Sequence, residues 1–370
     1  MASYVKQLKI LIQGAGIAGT TLAVLLARMG MKVTLVERSP CMRTSGNPVD
    51  VRGEAFATAE RLGIVPSLRA VATRVERFAF IDARGRTRAE INSRAPGSSR
   101  EVEVPRADLA TALLNALPDD VEVRFADTIV RIDQDETGVN VTSARGIDQH
   151  VDLLIGCDGL HSSVRALALD GNERHIQALG LYVASVHTTE IANDPTRVLI
   201  YNEPDRALVV HPALGSALAM FLFRSGARVG HTDVDAQRML LQDCYAGGRW
   251  RTEELLKAYA DTEDVYFDAV CRVSLPRWRD RRVALLGDAA SCASLFGNGS
   301  SLAMLGAETL ADALDRNRGA PTTALALYEA QHRSRVDPYI RRMGMTGRFM
   351  VPRTRAGIQL RNFALQLVGR

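Results

Sequence analysis

The chain has 370 residues, of which 46% are hydrophobic and 24% charged, a balance that is typical of a folded globular protein and excludes a disordered one. Its 46 basic and 42 acidic residues leave a net charge of +4 that is spread along the chain, which argues against a nucleic-acid-binding surface. A chain of this length exceeds one ordinary hydrophobic core and favours two domains.

Apolar runs, cysteines and histidines narrow the class further. No run reaches the roughly 18 consecutive apolar residues that span a bilayer, and the first residues lack the layout of a signal peptide. The five cysteines form no CxxC pair, which indicates reduced thiols and a cytoplasmic protein. The seven histidines show no metal-ligand spacing. The apolar runs therefore predict no membrane span, and the histidines predict no metal site.

The start of the chain predicts a β-α-β unit. Residues 8–13 are a short, mainly apolar run of the kind that is buried in a parallel sheet. Residues 17–30 are apolar at helical spacing, and residues 32–37 form a second strand. Further along, a helix is predicted at 107–117, after a short strand. Strand-like segments then follow near 121–126, 128–136, 138–144 and 150–159.

The predicted secondary structure changes after about residue 175. Three segments at 198–203, 206–212 and 216–225 look like antiparallel strands, and helical stretches follow near 233–243 and 252–260.

The last part of the chain returns to the first pattern. Residues 281–290 form a strand that runs into a turn, residues 300–315 form a helix, and the tail from Thr322 is mostly helical and rich in arginine. This interleaving predicts an α/β protein with an inserted domain. We predict a Rossmann-like nucleotide-binding domain from residues 1–72, 101–174 and 276–335, a mixed-sheet substrate domain from 73–100 and 175–275, and a C-terminal helical segment at 336–370.

A glycine motif lies between the first strand and the first helix. Gly14 permits the tight turn, Gly16 lets the backbone approach a pyrophosphate, and Gly19 lets helix and strand pack closely. The helix that opens at Ile17 and Ala18 offers free N–H groups to the phosphates. Glu37 ends the second strand, where an acid binds ribose hydroxyls and disfavours a 2′-phosphate. The motif therefore predicts FAD or NAD rather than NADP.

Two later segments separate FAD from NAD, because with them the chain resembles the class A flavoprotein monooxygenases. This group includes para-hydroxybenzoate hydroxylase and the tetracycline-inactivating monooxygenases. Residues 152–165, with Asp158-Gly159, look like the DG motif that contacts FAD and the reducing nicotinamide. Residues 282–290, with Gly287-Asp288, are similar to the GD motif whose aspartate binds the ribityl chain. The resemblance covers nearly the whole chain and implies a Rossmann-like FAD-binding domain.

The resemblance also implies roles for single residues. Arg38 is expected beside the adenine, and Arg106 near the phosphates and the ribityl chain. The loop that contains Asp50 and Arg52 resembles the one that passes the isoalloxazine in the tetracycline-inactivating branch. The candidate cofactor-binding residues are Gly14, Gly16, Ile17, Ala18, Gly19, Glu37, Arg38, Asp50, Arg106, Asp158, Asp288, Gly297, Gly299, Ser300 and Ser301.

The segment after Asp288 predicts a helix start with Ser300 or Ser301 as the N-cap. A helix N-terminus aimed at the flavin pyrimidine would stabilise the negative charge of the reduced ring. This segment also departs from the family, which commonly has a histidine and a proline where this chain has Ser291 and Leu295. The departure leaves FAD binding intact and puts the reaction, including oxygen activation, in question.

No side chain stands out as an acid, base or nucleophile, which fits an enzyme whose cofactor carries the chemistry. Arg52 is the best-motivated polar candidate for the catalytic region, with a surface salt bridge as the alternative. His187 and Tyr201 are weaker candidates for the pocket, and Cys292 is interpreted as a packing residue. The candidate substrate-pocket residues, each with a core or surface role as the alternative, are His211, Met220, Phe221, Phe223 and Arg224.

The resemblance implies an FAD-dependent monooxygenase. NADPH or NADH would reduce the flavin transiently, and a flavin C4a-hydroperoxide would hydroxylate an aromatic or polycyclic small molecule. The alternatives are a flavin oxidase, a reductase of the geranylgeranyl reductase type, or a flavin-binding protein without turnover. A plain NAD dehydrogenase would not need the Asp158 and Asp288 segments. The sequence leaves open whether the protein is a monomer or a homodimer.

Overall fold

The computed structural model describes residues 7–42, 47–92, 100–169, 173–188, 194–213, 216–292 and 298–368. The strands are β1 (Lys9–Gln13), β2 (Lys32–Val36), β3 (Val49–Arg52), β4 (Arg77–Ile81), β5 (Thr87–Asn92), β6 (Glu101–Val104), β7 (Glu122–Arg124), β8 (Ile129–Gln134), β9 (Val139–Ser143), β10 (Asp148–Val151), β11 (Leu153–Gly156), β12 (Ile176–Thr188), β13 (Arg197–Glu203), β14 (Arg206–Ala213), β15 (Ser216–Arg224), β16 (Tyr266–Val273), β17 (Arg279–Asp280) and β18 (Val283–Leu285). The helices are α1 (Ile17–Arg28), α2 (Glu54–Leu62), α3 (Val65–Ala70), α4 (Arg106–Asn115), α5 (Ser163–Ala168), α6 (Val234–Tyr245), α7 (Thr252–Ala260), α8 (Gly299–Arg316), α9 (Pro321–Met350) and α10 (Arg355–Val368). No helix in these ranges is long and apolar enough to cross a membrane.

The nucleotide-binding half is built on a largely parallel sheet in the order β17-β18-β11-β1-β2-β7. β1 lies between β2 and β11, with Ile10 opposite both Val33 and Leu153. After their first residue, β1 and β2 are wholly buried, as the apolar runs predict, because helices cover both faces of such a sheet. The predicted β-α-β start and the α/β fold class are confirmed.

The second half is built on a large mixed sheet in the order β16-β12-β15-β14-β13-β4-β5. Its pairs are antiparallel except for β13 with β4, which are parallel. Its strands come from two stretches, 77–92 and 176–273. One face packs against α6 and α7, and the other packs on the core of the nucleotide-binding half.

A two-stranded ribbon of β3 and β6 joins the two halves. The pairing sets Asp50 opposite Glu103 and Arg52 opposite Glu101. Val51 and Val102 lie on the other face and are buried in the core. Because side chains alternate along a strand, the four charged residues share the face that is turned away from that core.

The C-terminal helix α9 runs from the nucleotide-binding half to the large sheet. It continues through the domain boundary predicted at 335/336, which lies within the helix and is therefore wrong. Val336, Met343 and Gly347 keep one side of the helix buried beyond that point. At its far end, the Arg224 guanidinium donates hydrogen bonds to the carbonyls of Gly347 (2.9 Å) and Val351 (3.0 Å), which fastens α9 to β15.

His332 of α9 is buried beside Trp278 and stacks on Tyr328 with an interplanar angle of 18°. Its Nδ1 has no hydrogen-bond partner among the described residues. Burial, followed by the nearby charge of Arg335, lowers the pKa of His332 from 6.5 to about 4. Folding therefore favours the neutral imidazole over the charged one.

This histidine makes the fold sensitive to acid. Its pKa is lower in the folded chain than in the unfolded one, so its stabilising contribution is complete above pH 6.5 and is lost as the pH falls towards 4. Between pH 7 and pH 5 we expect this site alone to lower the free energy of unfolding by about 2 kcal/mol. Urea unfolding at both pH values should show His332→Phe losing that much less stability than the native chain.

The matched control is His150→Gln, because His150 is exposed on β10. It should keep the native pH dependence. An unchanged pH dependence in His332→Phe would show that the imidazole at 332 is not the acid-sensitive group.

Candidate cofactor and substrate site

The glycine motif forms a turn that only glycine can complete. Gly14 has a φ of +105°, and a Cβ there would lie 2.5 Å from the carbonyl oxygen of Cys157. A Cβ on Gly19 would lie 1.9 Å from the carbonyl oxygen of Gly14. A Cβ on Gly16 would meet nothing within 4 Å, so this turn is open on the side where a pyrophosphate would lie.

Glu37 lies just beyond β2, beside the same turn. Its Oε2 accepts a hydrogen bond from the amide of Ala15 (2.9 Å), and its Oε1 accepts one from the amide of Ser39 (2.8 Å). These two bonds fix the carboxylate next to the glycine turn. Each oxygen keeps a lone pair for a ribose hydroxyl. The neighbouring Arg38 is exposed.

Asp158 follows β11 and caps the short helix α5. Its carboxylate accepts hydrogen bonds from the amides of Ser163 (2.6 Å) and Val164 (3.2 Å). Arg165, which is fully buried, donates to the carbonyls of Leu160 and Ala289. The guanidinium thereby ties the segment around Asp158 to the segment around Asp288, a linkage that the sequence analysis missed.

Asp288 lies in the turn after β18, where Arg106 is the nearest positive charge. Desolvation raises the pKa of Asp288, whereas Arg106 and a hydrogen bond from the Cys292 thiol lower it. On β16, desolvation also raises the pKa of Asp268, and the charge of Asp288 adds to this effect. The site thus has two desolvated carboxyl groups, which suit the hydroxyls of a polyol chain.

Two histidines that the sequence analysis missed stack nearby. The rings of His161 and His231 lie 4.3 Å apart with an interplanar angle of 17°. Burial lowers the pKa of His161, and the charges of His231, Arg165 and Arg38 lower it further. His161 lies between Asp158 and α5, so the stack lies beside the candidate cofactor site. Arg165 and Arg38 are the positive charges that act on it.

The start of α8 is fastened to the ribbon. Ser300 and Ser301 donate hydrogen bonds from their hydroxyls to the Asp50 carbonyl (2.6 and 2.9 Å), so the prediction that one of them is the N-cap is wrong. The cap position is Asn298, whose side chain accepts a hydrogen bond from Arg52 (2.9 Å). The two serine hydroxyls bind the ribbon, so they do not cap the helix. The predicted contact Gly297 and the departure at Leu295 lie outside the described residues, and Ser291 is buried.

The charged face of the ribbon meets the large sheet. Arg52 lies 3.4 Å from Asp50 and 3.6 Å from Glu101. The Nε2 of His211 lies 3.0 Å from the Glu103 carboxylate, which also accepts a hydrogen bond from Thr73. His211 is therefore a buried polar contact between sheet and ribbon.

Strand alternation divides the other predicted pocket residues. Met220 is half-buried and packs on the side of the nucleotide-binding half. Phe221 and Phe223 are fully buried on the opposite face, where both pack against Tyr245 of α6. They are core residues, so their predicted substrate role is wrong.

The remaining pocket candidates lie elsewhere. The Arg224 guanidinium is engaged by the end of α9, which favours the structural role that the sequence analysis gave as the alternative. Tyr201 packs against Trp250 on the far face of the sheet, and His187 is exposed. No group of three metal-ligating side chains occurs among the described residues.

The chain belongs to the family described as FAD binding domain, which matches residues 7–342. It is an FAD-dependent monooxygenase. It is 34% identical over 341 residues to the flavin-dependent monooxygenase of Legionella longbeachae, an alignment that covers 90% of this chain and 87% of the relative. Among solved structures it is similar to the tetracycline destructase Tet(51), with a TM-score of 0.84, 28% identity and coverage of 98% and 96% of the two chains. The fold is also that of HpxO from Klebsiella pneumoniae, solved with FAD and uric acid, with a TM-score of 0.83, 23% identity and coverage of 97% and 93%.

The carboxylate at Asp288 should be essential for holding the cofactor. Asp288→Ala removes a charged acceptor worth roughly 1.5–3 kcal/mol, so we expect FAD to bind about 10- to 150-fold more weakly. Flavin fluorescence titration of the apoprotein measures this change. Asp312→Ala, on the outer part of α8, is the matched control and should bind FAD as the native chain does. Native affinity in Asp288→Ala would show that this aspartate does not contact the cofactor.

Proposed function

We propose that this monooxygenase uses NADPH or NADH and O₂ to hydroxylate an aromatic or polycyclic small molecule. The observation that carries the proposal is the convergence of the open glycine turn, Asp288 and the start of α8. The turn after β18 contacts both α1 and α8 there, and a cofactor cleft would lie between them. The large sheet, with the apolar side chain of Met220, and the charged face of the ribbon would lie next to it. The similarity to a protein named tetracycline destructase supports a multi-ring substrate.

FAD would be held along this cleft. The amides of Ile17 and Ala18 would bind its pyrophosphate, Glu37 its ribose, and Arg106 and Asp288 its ribityl chain. When bound, FAD supplies hydride acceptance and oxygen activation. The N-terminus of α8 would stabilise negative charge on the reduced ring, because its first amides have no intrahelical partner.

The substrate would lie between the ribbon and the large sheet. Met220 would pack against a ring, since a thioether makes favourable contacts with aromatic faces. Arg52 would orient a polar substituent, because its side chain is still 36% exposed beside the hydrogen bond to Asn298 and the carboxylates at 3.4 and 3.6 Å. His211 and Glu103 would close the inner end of the pocket and exclude water from it.

Anaerobic reduction tests the proposal. We expect the purified protein to show flavin absorbance that NADPH or NADH bleaches, and to bleach faster when a phenolic or polycyclic compound is present. Readmitting air should then give a product that is one oxygen atom heavier by mass spectrometry. Peroxide without an oxygenated product would indicate an oxidase, and reduction of an unsaturated compound without oxygen would indicate a reductase. A flavin that no nicotinamide bleaches would contradict the proposal.

The two faces of the large sheet provide a second test. Met220→Ala removes packing area from the proposed pocket, and a change of this kind is worth about 1–3 kcal/mol of ligand discrimination. We therefore expect the concentration of ligand that half-saturates the stimulation of bleaching to rise about tenfold, with FAD content unchanged. Tyr201→Phe, on the opposite face, is the control and should leave this concentration unaltered. Equal responses in both variants would argue against a pocket at Met220.

A further inference from the structure

Helix α10 buries an arginine and exposes large apolar side chains, the reverse of what an ordinary surface helix does. Arg361, one of its two arginines, points inward, where the guanidinium lies 4.2 Å from the ring centre of Phe80 and donates a hydrogen bond to the Asn202 side chain (2.8 Å). Its exposed residues include Gln359 and Gln366, but also three large apolar side chains. Leu360, Phe363 and Leu367 are exposed to 70%, 59% and 62%.

These three side chains form one continuous stripe. At the helical spacing of 100° per residue, Leu360, Phe363 and Leu367 fall with Ala356 and Ala364 within an arc of about 100°. No charged side chain interrupts this arc, and both alanines are also exposed. Such a stripe on a surface helix marks a site that something covers.

The sequence around the stripe carries positive charge alone. Residues 338–370 contain seven arginines and no lysine, aspartate or glutamate. In the described part of this segment, the exposed arginines are Arg341, Arg342, Arg348, Arg353 and Arg355. Six of the twelve exposed large hydrophobic side chains in the described residues also lie here.

A groove of about 590 Å³ brings charge and stripe together beside α10. It is lined by Phe363 of the stripe and by Arg88, Arg249 and Arg355. Its two carboxylates are already engaged. Asp82 pairs with Arg86 and Arg88, and Glu203 pairs with Arg206. The surface next to the stripe therefore has a surplus of positive charge.

We propose that α10 is an interfacial helix that docks this enzyme on an anionic lipid surface. The stripe would enter the boundary between head groups and acyl chains, and the surrounding arginines would contact anionic head groups. A second copy of this chain fits the surface less well, because pairing through α10 would bring two arginine-rich segments together.

Vesicle flotation of the FAD-loaded protein tests this proposal. We expect it to float with phosphatidylcholine vesicles that contain about 30% phosphatidylglycerol, and to remain behind with pure phosphatidylcholine, since each arginine near the surface adds about fivefold in partitioning. Raising the salt concentration should weaken the binding because it screens the head-group charge. No flotation with the anionic vesicles, or equal flotation with both kinds, would overturn the proposal.

Two sets of variants separate the contribution of the apolar stripe from that of the arginines. Leu360→Gln, Phe363→Gln and Leu367→Gln together should lower the partitioning at least about tenfold, because they remove the apolar contact. Arg353→Gln with Arg355→Gln should lower it by about 25-fold. The control, Val234→Gln with Met239→Gln, replaces side chains on α6 that are exposed to 50% and 65%, and should bind as the native chain does. Unchanged flavin absorbance and thermal unfolding show that each variant is folded.

Light scattering distinguishes the other occupants of this face. If the native protein forms a dimer that the triple α10 variant loses, and vesicles bind neither form, the stripe is an interface between copies. That result would contradict the proposal, as would a triple variant that floats with anionic vesicles as well as the native chain does.

Discussion

The approach of α1 to the ends of β1 and β11 is the constraint on which the rest of the structure depends. The places where Cβ atoms would stand at Gly14 and Gly19 are taken by backbone carbonyl oxygens, at 2.5 and 1.9 Å. Any side chain there would push the helix off the sheet. Because the glycines allow contact, the first amides of α1 lie at the edge where β2 and β11 also end. Glu37 and Asp158 follow those two strands, so the same contact brings both carboxylates to the candidate cofactor cleft.

Besides the apolar packing between the large sheet and the core, polar contacts of one small ribbon join the two halves of the protein. Ser300 and Ser301 hold the Asp50 carbonyl, and His211 meets Glu103 from the large sheet. The start of α8 and one face of the large sheet are thus both held by contacts with the same two strands, β3 and β6. The substrate pocket that we propose between them would be shaped by residues far apart in the chain, such as Arg52 and Met220. Rigid placement of this kind orients a substrate in an enzyme whose cofactor carries the chemistry.

Helix α9 adds a mechanical link along the outside of the molecule. Its buried side packs against the nucleotide-binding half through Tyr328 and His332, and its end is held by Arg224 on β15. Arg224 and Arg361 both use their charge inward, on helix-end carbonyls and aromatic rings. On α10, Ile358 and Leu365 are half-buried, whereas Leu360, Phe363 and Leu367 face outward as the apolar stripe.

The sequence by itself determined the local structures that carry strong constraints. The glycine turn, the buried parallel strands, the antiparallel strands of the large sheet and the order of the DG and GD segments could all be predicted, because each depends on neighbours close in the chain. Only the tertiary structure decided which face of a strand meets the cleft. Met220 and Phe221 are adjacent and both apolar, yet alternation sends one towards the nucleotide-binding half and the other to α6. The contacts of Arg224, Ser300 and Ser301 could not be predicted for a related reason: the partners that engage them lie more than 100 positions away, and no local pattern records a contact that folding alone creates.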